Sequence, residues 1–359
     1  MSSGATPSAG GVVGFVLAAG LGTRLSPLTE RLPKPAVPVA GLPLVRYALA
    51  RLREVGVRRA VVNTHHLASE MEEAARGAAE AAGLALSVSR EPVVAGTGGA
   101  LREARPLLAG AGAVVLWNGD ILFDLDLRAV VEAHRASGAL ATLVLAPMPE
   151  GAPYAAVEVD EDLAVRRIAG RGPGGEGLSP LHFTGVHVLS PEFLDAVPAE
   201  PFAPDINRHV YPPLLGGGRV RGIVAGGYWN DLGTPGRYLG ANLDLLEGRG
   251  GSVLAAADYR SGLEERAPGL FVARDARVEP EATLAAPAVV GPGAAVGSGA
   301  RVGPGAVLGA RSRVGPGAVV SRAVVWEGTE VASGERLVGA VAAGSLRVPC
   351  DSDWPPAPL

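Results

Sequence analysis

GFVLAAGLGTRLSPLTERLPKP, residues 14–35, is the stretch that decides how the first part of this chain folds. An apolar run ends at Gly20 and Gly22, and an Arg, three prolines and a Lys follow. An apolar run that stops at glycines predicts a β-strand leading into a loop whose backbone amides can approach phosphate oxygens. It is neither the dinucleotide fingerprint, because GLGTRL lacks the third glycine, nor a P-loop, because no GK[ST] follows. The stretch therefore predicts a strand followed by a phosphate-binding loop of another kind.

Apolar and amphipathic runs alternate along the chain to about residue 147. Apolar runs predict strands at 14–19, 59–64, 84–89, 113–120 and 141–147. Amphipathic runs predict helices at 43–56, 67–83, 98–108 and 127–138. This alternation predicts a Rossmann-like α/β fold with an open, mostly parallel sheet. Ligands of such sheets bind beyond the carboxyl ends of the strands, where the opening loop and WNGD, residues 117–120, are expected to lie.

A second pattern begins at Val272, where an aliphatic residue recurs at every sixth position as far as Val320. After a slip of one residue it continues at Val325, Val331 and Leu337. The positions between are mostly Gly, Pro, Ala and small polar residues. This period belongs neither to an α-helix nor to an ordinary strand. It predicts a left-handed parallel β-helix of hexapeptide repeats, three to a coil, with the aliphatic residues inside.

Length and composition set the frame for these two regions. The 359 residues suffice for two domains, and we expect a disordered arm at 1–11, an α/β domain at 12–250 and the β-helix at 265–345. A net charge of −4 argues against a nucleic-acid partner, and no apolar run approaches the ~20 residues of a membrane helix. The single Cys350 and the absence of a signal-peptide pattern at the N-terminus fit a cytoplasmic protein.

The opening loop also carries two notable cations, Arg24 and Lys34. Among 32 Lys and Arg, Lys34 is the only lysine. An arginine can clamp two phosphate oxygens at once, whereas a lysine supplies a compact point charge where negative charge builds up. The prolines on both sides of Lys34 would stiffen its backbone and reduce the entropy lost on positioning it.

These residues resemble the sugar-1-phosphate nucleotidylyltransferases, or NDP-sugar pyrophosphorylases, and among them the mannose-1-phosphate guanylyltransferases. The family signature G-x-G-T-R-L-x-P-L-T-x-x-x-P-K is matched by residues 20–34 at every defined position. The resemblance also includes the segments 90–101, 117–120, 181–190 and 227–242. A C-terminal left-handed β-helix is common in that family.

The resemblance implies that a sugar 1-phosphate attacks the α-phosphorus of an NTP, giving an NDP-sugar and pyrophosphate. It implies Arg24, Lys34 and Asp120 as catalytic residues, and Asp120 with Asp231 as ligands of Mg²⁺. The implied nucleotide-binding residues are Leu17, Ala18, Ala19, Gly20, Gly22, Thr23, Arg24, Glu91, Gly96 and Thr97. The implied sugar-binding residues are Asn118, Tyr154, Ala155, Thr184, Gly185 and Asn230.

The substrates are less sharply indicated. A Glu91 carboxylate could accept from guanine N1–H and N2–H₂, which favours GTP with mannose or heptose 1-phosphate. The alternative is UTP with glucose, N-acetylglucosamine or N-acetylmuramic acid 1-phosphate. Many relatives place a second lysine on the sugar phosphate, and this chain has none to place there. Arg166, Arg167 and Arg171 lie in the corresponding region and are the candidates to replace it.

Two other functions compete with this interpretation. The β-helix could be an acyltransferase, but all six histidines precede residue 210, so it lacks the usual general base. A regulatory paralogue would bind NDP-sugar without turnover, yet such proteins tend to lose the residues that this chain keeps. We expect the coils to mediate homo-oligomer contacts or to pack on the first domain.

Several polar residues have a structural interpretation as well. The helix after WNGD is expected to be capped by Asp124 or Asp126 rather than by Asp120. His65 and His66 are expected to close a strand-to-helix turn, and His182, His187 and His209 to line or support the sugar domain. No Cys/His spacing indicates zinc.

Overall fold

A computed structural model of the chain describes residues 10–149, 151, 154–199 and 205–350. These residues form two compact units, which are described separately. The sheet unit comprises the chain up to Gly20 and Ala48–Trp229, and the coil unit comprises Leu21–Tyr47 and the chain from Asn230 onward. The predicted arm at 1–11 lies outside the described residues except for its last two. The predicted domain borders follow chain order and stay a prediction.

Nine strands of the sheet unit join in one sheet. They are β1 (Val12–Leu17), β2 (Arg59–Thr64), β3 (Ala85–Arg90), β4 (Ala113–Asn118), β5 (Ala141–Pro147), β6 (Ala156–Val159), β7 (Val165–Ile168), β8 (Ser179–Leu189) and β9 (Val220–Val224). Short strands outside this sheet lie at Leu122–Phe123 and Trp229–Asn230.

Seven α-helices occur among the described residues, and none of those is both long enough and apolar enough to cross a membrane. They are α1 (Leu44–Glu54), α2 (Ala68–Ala82), α3 (Gly96–Leu108), α4 (Leu127–Ser137), α5 (Pro191–Asp195), α6 (Pro235–Leu246) and α7 (Ser252–Ala257). Shorter helical turns lie at Thr23–Leu25, Leu28–Glu30, Lys34–Ala36, Ile206–Val210 and Pro212–Gly217.

The sheet is mostly parallel around its first strand. β1 pairs in parallel with β2 on one side and β4 on the other, and β3 extends the parallel part beyond β2. The long strand β8 runs antiparallel to β4, to β5 and to β6, while β9 pairs in parallel with β5. The carboxyl ends of β1, β2, β3 and β4 therefore lie along one edge, where the predicted loops follow them.

The predicted elements agree closely with the observed ones. The strands predicted at 59–64 and 141–147 have those bounds, and the other three are displaced or shortened by one or two residues. The four predicted helices occur at α1, α2, α3 and α4 with ends within two residues of the predictions. A mostly parallel sheet is thus confirmed.

Local chemistry explains how closely β1 packs against α1 and where α4 begins. Gly14 in β1 lets the sheet approach α1 closely, because a Cβ there would lie 2.5 Å from a methyl carbon of Leu52. Asp126 caps α4 by accepting a hydrogen bond from the Ala129 amide at 3.1 Å. Asp124 instead pairs with the buried Arg51. The cap predicted at Asp124 or Asp126 is therefore Asp126.

The repeats of the coil unit stack as parallel strands. The strands are Leu270–Ala273, Arg277–Val278, Thr283–Leu284, Ala288–Val290, Ala295–Val296, Arg301–Val302, Ala306–Leu308, Arg313–Val314, Val319–Val325, Glu330–Val331 and Arg336–Ala343. The strands from Leu270–Ala273 to Val319–Val325 each pair in parallel with a strand one coil later, as when Val272 opposes Val290 and Val290 opposes Leu308. Two further strands, Leu263–Ala267 and Leu346–Pro349, pair antiparallel at the two ends.

The aliphatic positions form the interior of these coils. Val272, Val290, Leu308 and Val325 are fully buried and stack in one column, and the slip of one residue before Val325 leaves the column intact. Glycine is needed at close corners: a Cβ on Gly315 would lie 2.6 Å from the Ser333 amide nitrogen of the next coil. Parallel hexapeptide coils are therefore confirmed, while the left-handed sense stays a prediction.

The part of the opening loop in the coil unit is tied to α6 and to the coils. The Asn242 side chain of α6 accepts from the Ala40 amide at 2.8 Å. Tyr238 donates its hydroxyl proton to the Pro38 carbonyl and accepts from Trp326 Nε1 at 3.0 Å. A chain of two hydrogen bonds thus runs from the coil residue Trp326 through Tyr238 to Pro38, four residues after Lys34.

Candidate active site

The strand β1 delivers the first predicted nucleotide-binding residues to the edge of the sheet. Leu17 and Ala18 each use one backbone group in a hydrogen bond within the protein. The Leu17 carbonyl accepts from the Gly119 amide at 2.8 Å, and the Ala18 amide donates to Asn63 Oδ1 at 2.6 Å. Ala19 is buried, and Gly20 is exposed. The Ala18 amide is therefore engaged within the protein and is not offered to a phosphate.

Gly22 and Lys34 lie against each other in the coil unit. Gly22 has φ +61°, and a Cβ on it would lie 3.0 Å from Thr29 Cγ2 and 3.1 Å from Lys34 Cβ. The Thr29 hydroxyl donates to the Gly22 carbonyl at 3.2 Å. Lys34 begins a short helical turn after Pro33 and is only 4% exposed. The signature glycine thus makes room for the lysine side chain and for the threonine.

Arg24 and Asp231 also meet within the coil unit, together with Arg237. The carboxylate of Asp231, 9% exposed, lies 2.5 Å from Arg237 Nη1 and 3.9 Å from Arg24 Nη1. A Cβ on Gly233 would lie 3.1 Å from both Arg24 Nη1 and Asp231 Oδ2, so a side chain at this position would crowd both groups. Arg24 is 65% exposed. Arg237 was not among the residues predicted from the sequence, and only its ion pair reveals it.

Asn118 and Gly185 meet in the sheet unit, at the end of β4. Gly185 has φ +95°, and a Cβ there would lie 3.0 Å from Asn118 Nδ2. Asp120 follows Asn118 by two residues and is half-buried. The turn between them is held by the bond from the Gly119 amide to Leu17, which links the end of β4 to the end of β1.

Thr184 and Tyr154 differ in what they offer a sugar. Thr184 is fully buried, its hydroxyl donates to the Val144 carbonyl at 2.8 Å, and its carbonyl accepts from Trp229 Nε1 at 2.7 Å. A sugar contact through that hydroxyl is therefore not supported. Tyr154 is half-buried and packs against His182, with ring centroids 4.4 Å apart and ring planes tilted by 39°. Ala155 next to it is exposed.

Glu91 is held by the protein on both of its oxygens. Asn63 Nδ2 donates to Oε1 at 2.7 Å, and the Ala95 amide donates to Oε2 at 2.9 Å. Glu91 is 5% exposed, and Asn63 is 3% exposed. Reading of guanine by this carboxylate, which favoured GTP in the sequence, is thus not supported by the geometry. Asn63 was missed, because a single strand asparagine carries no motif.

The remaining predicted residues fall into the two units separately. Gly96, with φ +68°, begins α3, and the Thr97 hydroxyl accepts from the Ile206 amide at 2.8 Å. The Asn230 side chain accepts from the Leu232 amide at 2.8 Å and is 2% exposed. Thr23 is exposed. These residues shape loops at least as much as they offer groups to a ligand.

The three arginines considered for the sugar phosphate are not equivalent. Arg166 pairs with Asp160 and Arg167 with Glu158, each at 2.7 Å. Arg171 is exposed and makes no ion pair within the described part of the chain. Among the three, only Arg171 has no acidic partner in the part of the chain that the structure describes.

The histidines agree in part with their structural interpretation. His65 Nδ1 lies 2.8 Å from the Glu91 carbonyl at a loop after β2. His187 bonds Tyr211 at 2.6 Å, and burial lowers its pKa to about 3. His134 bonds Thr142 at 2.9 Å, and burial, with a smaller contribution from Arg135, lowers its pKa to about 4. His134 and His187 therefore stay neutral near pH 7, and their hydrogen bonds lie within the core.

Asp120 and Asp231, each in its own unit, are candidate ligands of Mg²⁺. Both supply hard carboxylate oxygens, and Asp231 Oδ1 is oriented by Arg237. No cluster of three or more His, Cys, Asp or Glu side chains suited to a metal occurs in residues 10–149, 151, 154–199 and 205–350. Mg²⁺ usually takes only one or two protein carboxylates and keeps several waters, so the donor chemistry of each aspartate fits.

Two family profiles match the sequence. The nucleotidyl transferase profile matches residues 13–248, and the bacterial transferase hexapeptide profile, of six repeats, matches residues 287–322. Together they cover the sheet strands, the opening loop and the central coils.

Curated relatives include guanylyl- and uridylyltransferases. A mannose-1-phosphate guanylyltransferase of Mycobacterium tuberculosis is 31% identical over 237 residues, which are 65% of this chain and 64% of the relative. An N-acetylmuramate α-1-phosphate uridylyltransferase of Neisseria meningitidis is 35% identical over 61% of this chain and 92% of the relative. A UTP–glucose-1-phosphate uridylyltransferase of Synechocystis is 30% identical over 57% of this chain and 55% of the relative. The chain thus spans less than two thirds of the guanylyltransferase and of the glucose-1-phosphate uridylyltransferase.

Proposed function

Because the chain belongs to the nucleotidyl transferase family, we propose that it joins an NTP to a sugar 1-phosphate, giving an NDP-sugar and pyrophosphate. The observation that carries this proposal is Lys34, the only lysine, buried against Gly22 in the matched signature. The reaction brings two anions together, so charge neutralisation and in-line positioning supply most of its catalysis. A compact ammonium in a packed, stiff loop suits that task.

The cationic side chains of the coil unit have different roles in this proposal. Arg24 is exposed and 3.9 Å from Asp231, so its guanidinium can turn to the triphosphate and the pyrophosphate leaving group. Lys34 acts on the attacking phosphate or the α-phosphate. The closer partner Arg237 holds Asp231 in one orientation. Gly20, Gly22 and Thr23 contribute backbone or hydroxyl donors to phosphate oxygens.

Asp120 and Asp231 are the proposed ligands of Mg²⁺. The ion, when bound, supplies positive charge that offsets the phosphate oxygens. Arg237 holds the carboxylate of Asp231 through Oδ1. Asp120 reaches the edge of the sheet on the turn after β4.

The proposed substrates are GTP with mannose 1-phosphate or a heptose 1-phosphate. The support is the name of the Mycobacterium relative, since Glu91 no longer argues for guanine. The alternative is UTP with N-acetylmuramic acid, glucose or N-acetylglucosamine 1-phosphate, supported by the Neisseria relative and its 92% coverage. A cytoplasmic location and homo-oligomer formation stay predictions.

Arg171 is proposed to take the place of the missing second lysine. It is exposed, and no acidic side chain among the described residues neutralises it, unlike Arg166 and Arg167. We expect Arg171→Met to raise KM for the sugar 1-phosphate about tenfold or more while leaving KM for the NTP unchanged. Arg167→Met is the matched control, because Arg167 already pairs with Glu158. Equal effects of the two variants would contradict this assignment.

The experiment that tests the function is a grid of NTPs against mannose, glucose, N-acetylglucosamine, N-acetylmuramic acid and heptose 1-phosphates, with Mg²⁺ and pyrophosphate release as readout. Asp120→Asn is the control that should keep the fold and lose turnover. One productive combination supports the proposal and identifies base and sugar. If no combination releases pyrophosphate while nucleotide still raises the Tm, the result would favour the regulatory paralogue.

A further inference from the structure

Two segments of the sheet unit that are predicted to bind nucleotide are joined by a pair of buried side chains. The first segment, residues 17–20, begins at the last residue of β1. The second, residues 91–97, follows β3 and includes the first two residues of α3. Between them lies β2, whose Asn63 stands one residue before the strand ends. Asn63 bonds the Ala18 amide at 2.6 Å on one side and Glu91 at 2.7 Å on the other.

The Ala18 and Ala95 amides restrict which groups can lie between them. These two backbone amides stand at the ends of the chain of hydrogen bonds, and an amide N–H can only donate. Both ends therefore demand an acceptor, and one further donor must lie between the two acceptors. One carboxamide and one carboxylate meet this demand, and Asn63 with Glu91 supply them.

The burial and contacts of Asn63 and Glu91 indicate no other function for these side chains. Both are buried, so neither supports solubility, and both oxygens of Glu91 are already engaged. Glu91 also places its charge at the start of the thirteen-residue helix α3, where the helix dipole favours an anion. The Glu91 backbone carbonyl is bonded to His65, which further restrains the segment.

We propose that Asn63 and Glu91 are a positioning pair that sets the spacing between residues 17–20 and residues 91–97, and with it the affinity for the nucleoside triphosphate. The proposal rests on the proposed function, because it takes both segments as contacts of the nucleotide. In this proposal the pair itself does not contact the nucleotide. It holds the backbone groups that do, so its loss should appear in nucleotide binding rather than in sugar binding.

A swap of the two functional groups tests this directly. Asn63→Asp leaves two carboxylates facing each other with no donor between them, and Glu91→Gln turns a second amide donor toward a backbone N–H. Either single variant leaves a buried group unsatisfied and should raise KM and Kd for the NTP about tenfold. The double variant Asn63→Asp/Glu91→Gln restores one carboxamide and one carboxylate. It should return both constants to within about threefold of wild type.

Thr64→Val is the matched control. Thr64 is the next residue on β2, is fully buried, and its hydroxyl has no hydrogen-bond partner among the described residues. It should leave both constants unchanged. The Tm of every variant is recorded separately, and KM for the sugar 1-phosphate should stay within about twofold throughout, which general unfolding would not produce.

The outcomes separate this inference from the proposed function. Unchanged NTP constants in both single variants, or a double variant no better than the singles, would overturn the positioning pair. A wild-type protein that binds NTP by calorimetry but releases no pyrophosphate would overturn the proposed function. The effect of the single and double variants would then still be measured as the Kd for the NTP. A wild type that binds no NTP at all would overturn both.

Discussion

At the scale of single residues, Lys34 is where a small chemical change should have the largest effect. The residue is only 4% exposed, so an arginine there would have to place a longer side chain with a planar, branched head where a compact ammonium now lies. We expect Lys34→Arg to lower the rate of pyrophosphate release about a hundredfold, because misplacement by about 1 Å costs that much. Arg58→Lys, at an exposed position, is the control and should match wild type. An active Lys34→Arg variant would show that the position needs only a positive charge.

Gly22 and Gly41 together separate two costs of replacing a loop glycine. Both have positive φ, +61° and +86°, but a Cβ at Gly22 would crowd Thr29 and Lys34, whereas a Cβ at Gly41 meets open space. Gly41→Ala should cost about 1–2 kcal/mol of unfolding free energy from its backbone conformation alone. Gly22→Ala should cost more and should also lower turnover at least tenfold, since Lys34 must shift. Equal losses in both variants would mean that crowding plays no part.

At the scale of elements, the coils support the opening loop within the coil unit. Trp326 donates to Tyr238, and Tyr238 donates to the Pro38 carbonyl in the loop. The hexapeptide repeats therefore do more than extend the chain, because a coil side chain restrains the segment that follows Lys34. An acyl-transfer role for the coils finds no histidine to carry it.

Tyr238→Phe tests this support. The variant leaves the Pro38 carbonyl and the Trp326 indole N–H without their partner, and both Tyr238 and Trp326 are buried. We expect a loss of about 1–3 kcal/mol in the free energy of unfolding, measured by urea denaturation. A loss below about 0.5 kcal/mol would contradict the proposed chain of bonds.

At the scale of the whole molecule, buried neutral histidines should make the protein sensitive to mild acid. Burial lowers the pKa of His187 to about 3 and that of His134 to about 4, against about 6.5 in the unfolded chain. The unfolded state therefore binds protons first, and stability present above pH 6.5 is lost as the pH falls toward the folded values. At pH 5 each histidine should cost about 2 kcal/mol.

Urea unfolding at pH 7 and pH 5 measures this loss. The double variant His187→Leu/Tyr211→Phe removes one histidine together with its hydrogen-bond partner, so no buried polar group is left unpaired. It should lose about 2 kcal/mol less than wild type between the two pH values. Carboxylates with lowered pKa values, such as Glu72 and Glu335, act below this window. An unchanged loss in the variant would rule out His187 as the cause.

The sequence by itself determined the elements and the stacking. The bounds of β2 and β5, and the column from Val272 through Val290 and Leu308, follow from periodicities that repeat within a few residues. A local pattern is enough there, because each residue's environment is set by its neighbours along the chain.

The tertiary structure alone decided how the polar side chains are used. Asn63 joins Ala18 to Glu91 because β2 lies between β1 and β3, and that order cannot be read from any one segment. The same applies to Thr184, whose hydroxyl turns to Val144, and to Arg237, which meets Asp231. Hydrogen bonds depend on atoms within about 3 Å of each other, and residues distant in sequence reach that separation only when the chain has folded.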